Sequence, residues 1–231
     1  MNVWVVGECF GAAAQLPGVM TVGELYDRLT SGTPQALHVR AGLGVDATAW
    51  DGLRAVAGDG VEFGDPPPRT VFRHRVVKRA QDNVLISEPT VTGGVAAADL
   101  VVPNDSELIR DHTAERQHVP GMILIEASIQ LLTWLVDETI PPTADGTRRY
   151  AVMHACRFDF HRFVFPFPVR LRAWLEPAGP QSDERVPLTG RAEVEQAGRG
   201  CAECAFDVHA FDPRHIFEIE HAQALKTKEF S

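Results

Sequence analysis

The segment PGMILIEASIQLLTWLVDET (residues 120–139) limits the possible folds of this chain more than any other feature. Its residues are apolar on nearly every side, so it predicts a helix enclosed by other structure rather than one resting on a surface. No stretch of the chain reaches the roughly 18 to 20 unbroken apolar residues of a membrane span, so none is expected. Strand-like runs flank the helix: TVFRHRVVK, NVLISEPTV and VAAADLVVP before it, then RYAVMHACRFDF, FPVRLRAWLEP, VPLTGRAEVEQ and GCAECAFDVHAF after a PPTADG break. One buried helix among antiparallel strands predicts an α+β class, with a sheet curled round the helix. No internal repeat or low-complexity stretch is visible.

The first 64 residues read as a separate small α/β unit. NVWVV, ALHVRAG and VEF are strand-like, and two helical stretches, VGELYDRLT and AWDGLRAVA, alternate with them. Thr21 and Glu24 stand at capping-box spacing, and Asp46 or Thr48 is placed to cap the second helix. This βαβαβ order predicts a short parallel sheet. The glycines of AGLGVDA lack the full phosphate-loop fingerprint and read as a turn. GDPPPRT (residues 64–70), with three successive prolines, predicts the boundary, leaving residues 70–228 as the second domain.

The formal net charge of −9 argues against nucleic acid as the main partner, because neutralising phosphates takes clustered Lys and Arg. A local basic run (Arg69, Arg73, Arg75, Lys78 and Arg79) suits an acidic carrier or a phosphopantetheine arm, and suits a solvated edge strand better. The N-terminus has no basic leader before its apolar run, so it reads as a first strand rather than a secretion signal. Cys201 and Cys204 form a CxxC on a strand pattern, where residues three apart point to opposite faces and make a poor metal clamp. Four scattered cysteines fit a reduced, cytoplasmic protein.

Chemistry concentrates in DHTAERQHVPGMILIEASIQ. Pro120 and Gly121 fit a helix start, where free backbone N–H groups and the helix dipole can polarise a carbonyl oxygen. Gly121, lacking a side chain, leaves its backbone open to a ligand. Glu126 and Gln130 stand one turn apart on one face, and a carboxylate among apolar residues is costly unless paired or lining a cavity. Its structural alternative is a bond to a backbone group or to an arginine such as Arg162. His112 and His118 flank the start of the helix with imidazoles suited to proton transfer. Phe158, Phe160, Phe163, Phe165 and Phe167 read mainly as core, with some of them available to line an acyl tunnel. His161 and Arg162 are within plausible reach of a phosphate or carrier, whereas His154 and His209 read as structural.

These residues resemble two related families. His112, Pro120, Gly121, Glu126 and Gln130 look like the signature of hotdog 3-hydroxyacyl-acyl-carrier-protein dehydratases, with a similar histidine-to-carboxylate spacing of 126 − 112 = 14. That resemblance implies His112 as the base, Glu126 as the acid that assists departure of the β-hydroxyl, and the Gly121 N–H as the group polarising the thioester. It also implies a homodimer in which histidine and carboxylate face each other from different subunits. The dehydratases carry Phe-Pro-Gly after the histidine, whereas this chain has Thr113-Ala114-Glu115. NVLISEP, QHVPGMILIEASIQ and FDFHRFVFPFPVRL are similar to the A-factor biosynthesis family over residues 70–210. Its members transfer a 3-ketoacyl group from a carrier protein to a hydroxyl of a glycerol-type phosphate. They typically carry two hotdog domains, and this chain has room for one.

The expectation is therefore a hotdog fold acting on an acyl thioester of an acyl carrier protein or coenzyme A. Its catalytic set is His112, Glu126 and Gly121, and its substrate-binding set is His118, Pro120, Gln130, Phe163 and Arg162. Dehydration is the first reading, acyl transfer to a small hydroxyl the second, and hydrolysis a weaker relative of transfer. A non-catalytic acyl binder is the alternative class. No nucleotide, metal or flavin site is legible.

Overall fold

A computed structural model describes residues 1–32, 36–112 and 117–229 of the chain. Four parallel strands, β1 (Asn2–Val6), β2 (Val19–Thr21), β3 (Leu37–Ala41) and β4 (Val61–Phe63), form one sheet in the order β2-β1-β3-β4. Helices α1 (Val22–Thr30) and α2 (Ala47–Val56) connect them. Thr21 and Glu24 close a reciprocal capping box on α1, and the Asp46 side chain accepts from the Ala49 N–H to start α2. The unit is richer than the sequence predicted: a 3-10 helix, Glu8–Gln15, and the extra strand β2 separate β1 from α1.

A second sheet has six strands in the order β5-β6-β8-β9-β10-β7: β5 (Thr90–Thr92), β6 (Val95–Asp99), β7 (Tyr150–Phe160), β8 (Arg170–Pro177), β9 (Arg185–Gln196) and β10 (Arg199–Phe211). Every pairing in it is antiparallel. A short helix α3 (Glu107–His112) follows β6, and the long helix α4 (Gly121–Thr139) packs on β6, β7, β8 and β9. This is the hotdog arrangement. Ile123, Leu124, Ala127, Leu131, Leu132 and Leu135 of α4 are buried against the sheet. A Cβ added at Gly190 on β9 would sit 2.9 Å from Leu132 Cδ2, so glycine there lets the helix approach the strand. Ser128, also buried, returns its hydroxyl to the Leu124 carbonyl.

Two segments differ from the expected strands. TVFRHRVVK is not a strand: Arg73–Val76 form a 3-10 turn ending at Val77 with φ 55°. The Gln81 side chain accepts from the Arg73 N–H and donates to the Val71 carbonyl, and these bonds replace strand pairing. In NVLISEPTV only residues from Thr90 onward belong to a strand, while Thr70–Ser87 and Ile86–Leu100 form isolated bridges. The C-terminal helix α5 (Pro213–Glu229) has no counterpart in the sequence reading. Among the described residues no helix is long and apolar enough to cross a membrane.

The parallel unit does not stand apart from the hotdog sheet. Val6, Cys9, Phe10, Ala13 and Leu43 belong to the same buried cluster as Ile109, Ile123 and Val164. The glycine segment Gly42–Gly44 lies at this junction. A Cβ on Gly42 would come 2.4 Å from the Pro166 carbonyl oxygen, and one on Gly44 2.6 Å from Gly7 Cα. These glycines let backbones pack against each other.

Candidate active site

Six of the eight predicted residues fall in two hollows on either side of the α4 N-terminus, and Pro120 and Gln130 line neither of them. The larger, about 720 Å³, is lined by His112, Glu126, Lys78, Met122, Asn83 and Ser106, among others. The smaller, about 410 Å³, is lined by His118, Gly121, Phe160, Arg162, Phe163 and Val164, among others. His112 and Glu126 thus share one cleft within a single chain. Residues Thr113-Ala114-Glu115, between His112 and α4, lie outside the described residues.

His112 is the last residue of α3, and its ring is exposed. Its Nδ1 lies 2.9 Å from the Leu108 carbonyl oxygen, four residues back. A carbonyl can only accept, so in the neutral ring this bond puts the proton on Nδ1 and leaves the Nε2 lone pair available as a base.

Glu126 forms an ion pair with Lys78, whose side chain is 27% exposed against 33% for Glu126. The same carboxylate accepts from Gln130 Nε2 at 2.9 Å. Lys78 entered the sequence reading only as part of a basic run, and the structure brings it into the cleft. Arg75, from the same run, is engaged by Asp137 and Glu138 and stacks over Trp134. Arg162 is not the partner of Glu126: it donates to the Gly200 carbonyl on β10.

Gln130 is buried, and its bonds are to protein. Its Oε1 accepts from the Leu85 N–H at 2.8 Å and its Nε2 donates to the Asn83 carbonyl at 2.8 Å. It ties the segment before β5 to α4 and fixes the carboxylate of Glu126.

Pro120 is the N-cap and Gly121 the first residue of α4. The space a Cβ would occupy on Gly121 is filled by Phe160, whose Cζ would lie 2.7 Å away. The missing side chain of Gly121 therefore makes room for an aromatic ring. His118 packs its ring 4.9 Å from that of Phe163, which is 68% exposed. The Val119 N–H donates to the Val164 carbonyl and links the α4 N-terminus to the phenylalanine-rich loop.

Cys201 and Cys204 are both buried, and burial pushes the Cys204 thiol up to about 12. Among the described residues no three His, Cys, Asp or Glu side chains converge as a metal site would require.

A sequence model of the A-factor biosynthesis hotdog domain matches residues 61–212, two-thirds of the chain, starting at β4. No curated protein matches the sequence. A conserved protein from Pseudomonas aeruginosa is 20% identical, with a TM-score of 0.44 over 62% of this chain and 100% of that one. A phenylacetic acid degradation-related putative thioesterase from Ralstonia eutropha is 20% identical, with a TM-score of 0.39 over 54% of this chain and 83% of its own. The dehydratase heterocomplex of Xenorhabdus doucetiae gives 12% identity and a TM-score of 0.47, over 65% and 98% respectively.

Proposed function

This chain belongs to the A-factor biosynthesis hotdog family, and from that premise we propose that it transfers an acyl group from a thioester to a small hydroxyl acceptor. The thioester is carried on the phosphopantetheine arm of an acyl carrier protein or of coenzyme A. One observation carries the reading: a histidine whose Nδ1 is anchored to a backbone carbonyl shares a cleft with a lysine held by a carboxylate.

In this reaction His112 Nε2 takes the proton of the acceptor hydroxyl as its oxygen attacks the thioester carbonyl carbon. The tetrahedral oxyanion that forms is stabilised by the Lys78 ammonium, which Glu126 orients. The C–S bond then breaks, the acyl group leaves on the acceptor oxygen, and the imidazolium returns its proton to the departing thiolate. Water in place of the acceptor gives hydrolysis by the same route.

Dehydration of a 3-hydroxyacyl thioester is the second reading, favoured by His112 and Glu126 lining one cleft. It requires Glu126 to face the substrate as a proton donor, and its side chain is instead engaged by Lys78 and Gln130. Those contacts rank transfer first.

The unit that works is proposed to be a homodimer. Strand β7, 11 residues long, pairs with β10 along one side, and among the described residues no strand pairs along the other. Met153 and Phe160 are about half exposed there, 45% and 51%. An open, partly apolar edge of this length is a template for pairing with another strand, and a second β7 is its self-complementary partner.

Mass spectrometry of a 3-ketoacyl and a 3-hydroxyacyl carrier-protein thioester, each with and without a glycerol-type phosphate, tests the assignment. Loss of the acyl group only when the hydroxyl compound is present, abolished in His112→Ala, is the expected result. Loss of one water without any acceptor would establish dehydration instead. Tight acyl binding with no turnover in any mixture would make the protein a binder.

A further inference from the structure

We infer that the N-terminal parallel unit is a buttress that sets the position of His112, with Asn104 as the positioning residue. The inference rests on the proposed role of His112 and explains a part of the chain that lies almost wholly outside the family match.

The contact begins where β1 ends. The Glu8 N–H donates to Asn104 Oδ1 at 3.0 Å, and the Cys9 N–H donates to the Asn104 backbone carbonyl at 3.1 Å. One residue, between β6 and α3, therefore receives two consecutive backbone donors from the N-terminal unit, 96 positions away in the first case. The approach is close enough to exclude side chains: a Cβ on Gly7 would lie 2.8 Å from the Asn104 carbonyl oxygen and 2.7 Å from Gly44 Cα. The Cys9 thiol points at the Pro103 carbonyl, 3.7 Å away, and burial pushes it up to about 11, so it is a neutral donor.

Asn104 stands next to the start of α3. Two residues on, the Ser106 carbonyl accepts from the Ile109 and Arg110 N–H groups and opens the helix. Ile109 is fully buried in the cluster that also holds Cys9 and Phe10. His112 is one turn beyond, anchored to Leu108 within the same short helix. A helix of six residues is marginal alone, so its direction is set by what holds its first turn. The clamp at Asn104 supplies that hold. The same unit also grips the far side of the α4 N-terminus. The Leu43 N–H donates to the Pro166 carbonyl at 3.1 Å, and Trp4 packs edge-on to Phe167 at 5.5 Å. Both loops that border the candidate site are thus fastened to the parallel sheet.

Asn104→Ala removes the acceptor for Glu8 N–H, and Asn104→Asp keeps it. Full-length wild type and both variants are compared by thermal unfolding, by kcat and KM for acyl transfer, and by the rate at which diethyl pyrocarbonate modifies His112, read by peptide mass mapping. The expected result for Asn104→Ala is a folded protein whose kcat falls about tenfold with KM within twofold. Its His112 modification rate changes at least threefold, and Asn104→Asp recovers the wild-type values. Wild-type kcat and wild-type His112 reactivity in Asn104→Ala would overturn the inference. So would a variant in which KM rises and kcat does not fall, or one whose loss Asn104→Asp fails to recover. If the wild type transfers no acyl group, the modification rate alone decides: a change confined to Asn104→Ala supports the buttress while the transferase reading fails, and no change removes both.

Discussion

Lys78 and Glu126, separated by 126 − 78 = 48 residues, meet as an ion pair on the wall of the cleft that holds His112. Both side chains are about 30% exposed, so solvent screens the pair and its contribution to stability is below about 1 kcal/mol. Its value lies in placing a cation where charge develops. Lys78→Met is expected to lower kcat by about 100-fold, in the range for removal of an oxyanion-stabilising group, while unfolding shifts by less than about 1 kcal/mol. Steady-state kinetics beside urea unfolding checks both halves. A loss of activity explained by unfolding would remove Lys78 from the chemistry.

Gln130 was expected to touch substrate, and its bonds to Leu85, Asn83 and Glu126 give it a structural task. Gln130→Ala leaves the buried Leu85 N–H and the Asn83 carbonyl without their partner and opens a cavity beside α4. The expected cost is about 2–4 kcal/mol, measured by urea unfolding. A cost under about 0.5 kcal/mol, the size of an ordinary surface substitution, would show that these bonds are dispensable and return Gln130 to the ligand side.

The parts legible in the sequence were those fixed by long, regular patterns. The buried helix, the four strands after it and the capping box at Thr21 and Glu24 follow from periodicity and local capping chemistry. The Arg73–Val76 turn reads as a strand because its sequence alternates like one, while in the fold the Gln81 side chain satisfies its backbone. Helix α5 was missed although Asp212 and Pro213 make a good start, with Asp212 accepting from the Arg214 N–H. Residues 221–229 are exposed throughout, so no apolar stripe announces the helix. Lys78 could not be singled out from its basic run, because its partner is set by tertiary packing. The role of Asn104 is of the same kind: a half-buried asparagine in a loop carries no periodic signal.

The β7 edge gives a prediction about assembly. Met153→Lys places a charge on a strand proposed to pair with its copy, a device that blocks edge-to-edge association. Light scattering after size exclusion is expected to give a dimer for the wild type and at least a tenfold weaker dimer for the variant. A wild-type monomer at concentrations of tens of micromolar would remove the second copy from the proposed active unit.

The cysteines predict how the protein responds to alkaline pH. Burial pushes Cys9 up to about 11 and Cys204 up to about 12, from an ordinary value of 9.0. Folding therefore retains thiol protons that the unfolded chain releases above its own value. The stabilisation is intact below about pH 9 and is lost as pH rises toward the folded values, at about 1.4 kcal/mol per pH unit for each thiol. Cys204→Ala is expected to lose baseline stability from the missing sulfur and to show a shallower alkaline decline. Urea unfolding between pH 8 and about 10.5 separates the two effects, since the slope with pH belongs to the thiol and the offset to packing. At neutral pH Ellman's reagent should reach the exposed Cys156 first, although burial raises its thiol too, and Cys9 and Cys204 only on unfolding. Fast labelling of all four thiols in the native protein would mean that the junction around Cys9 opens readily, and the buttress at Asn104 with it.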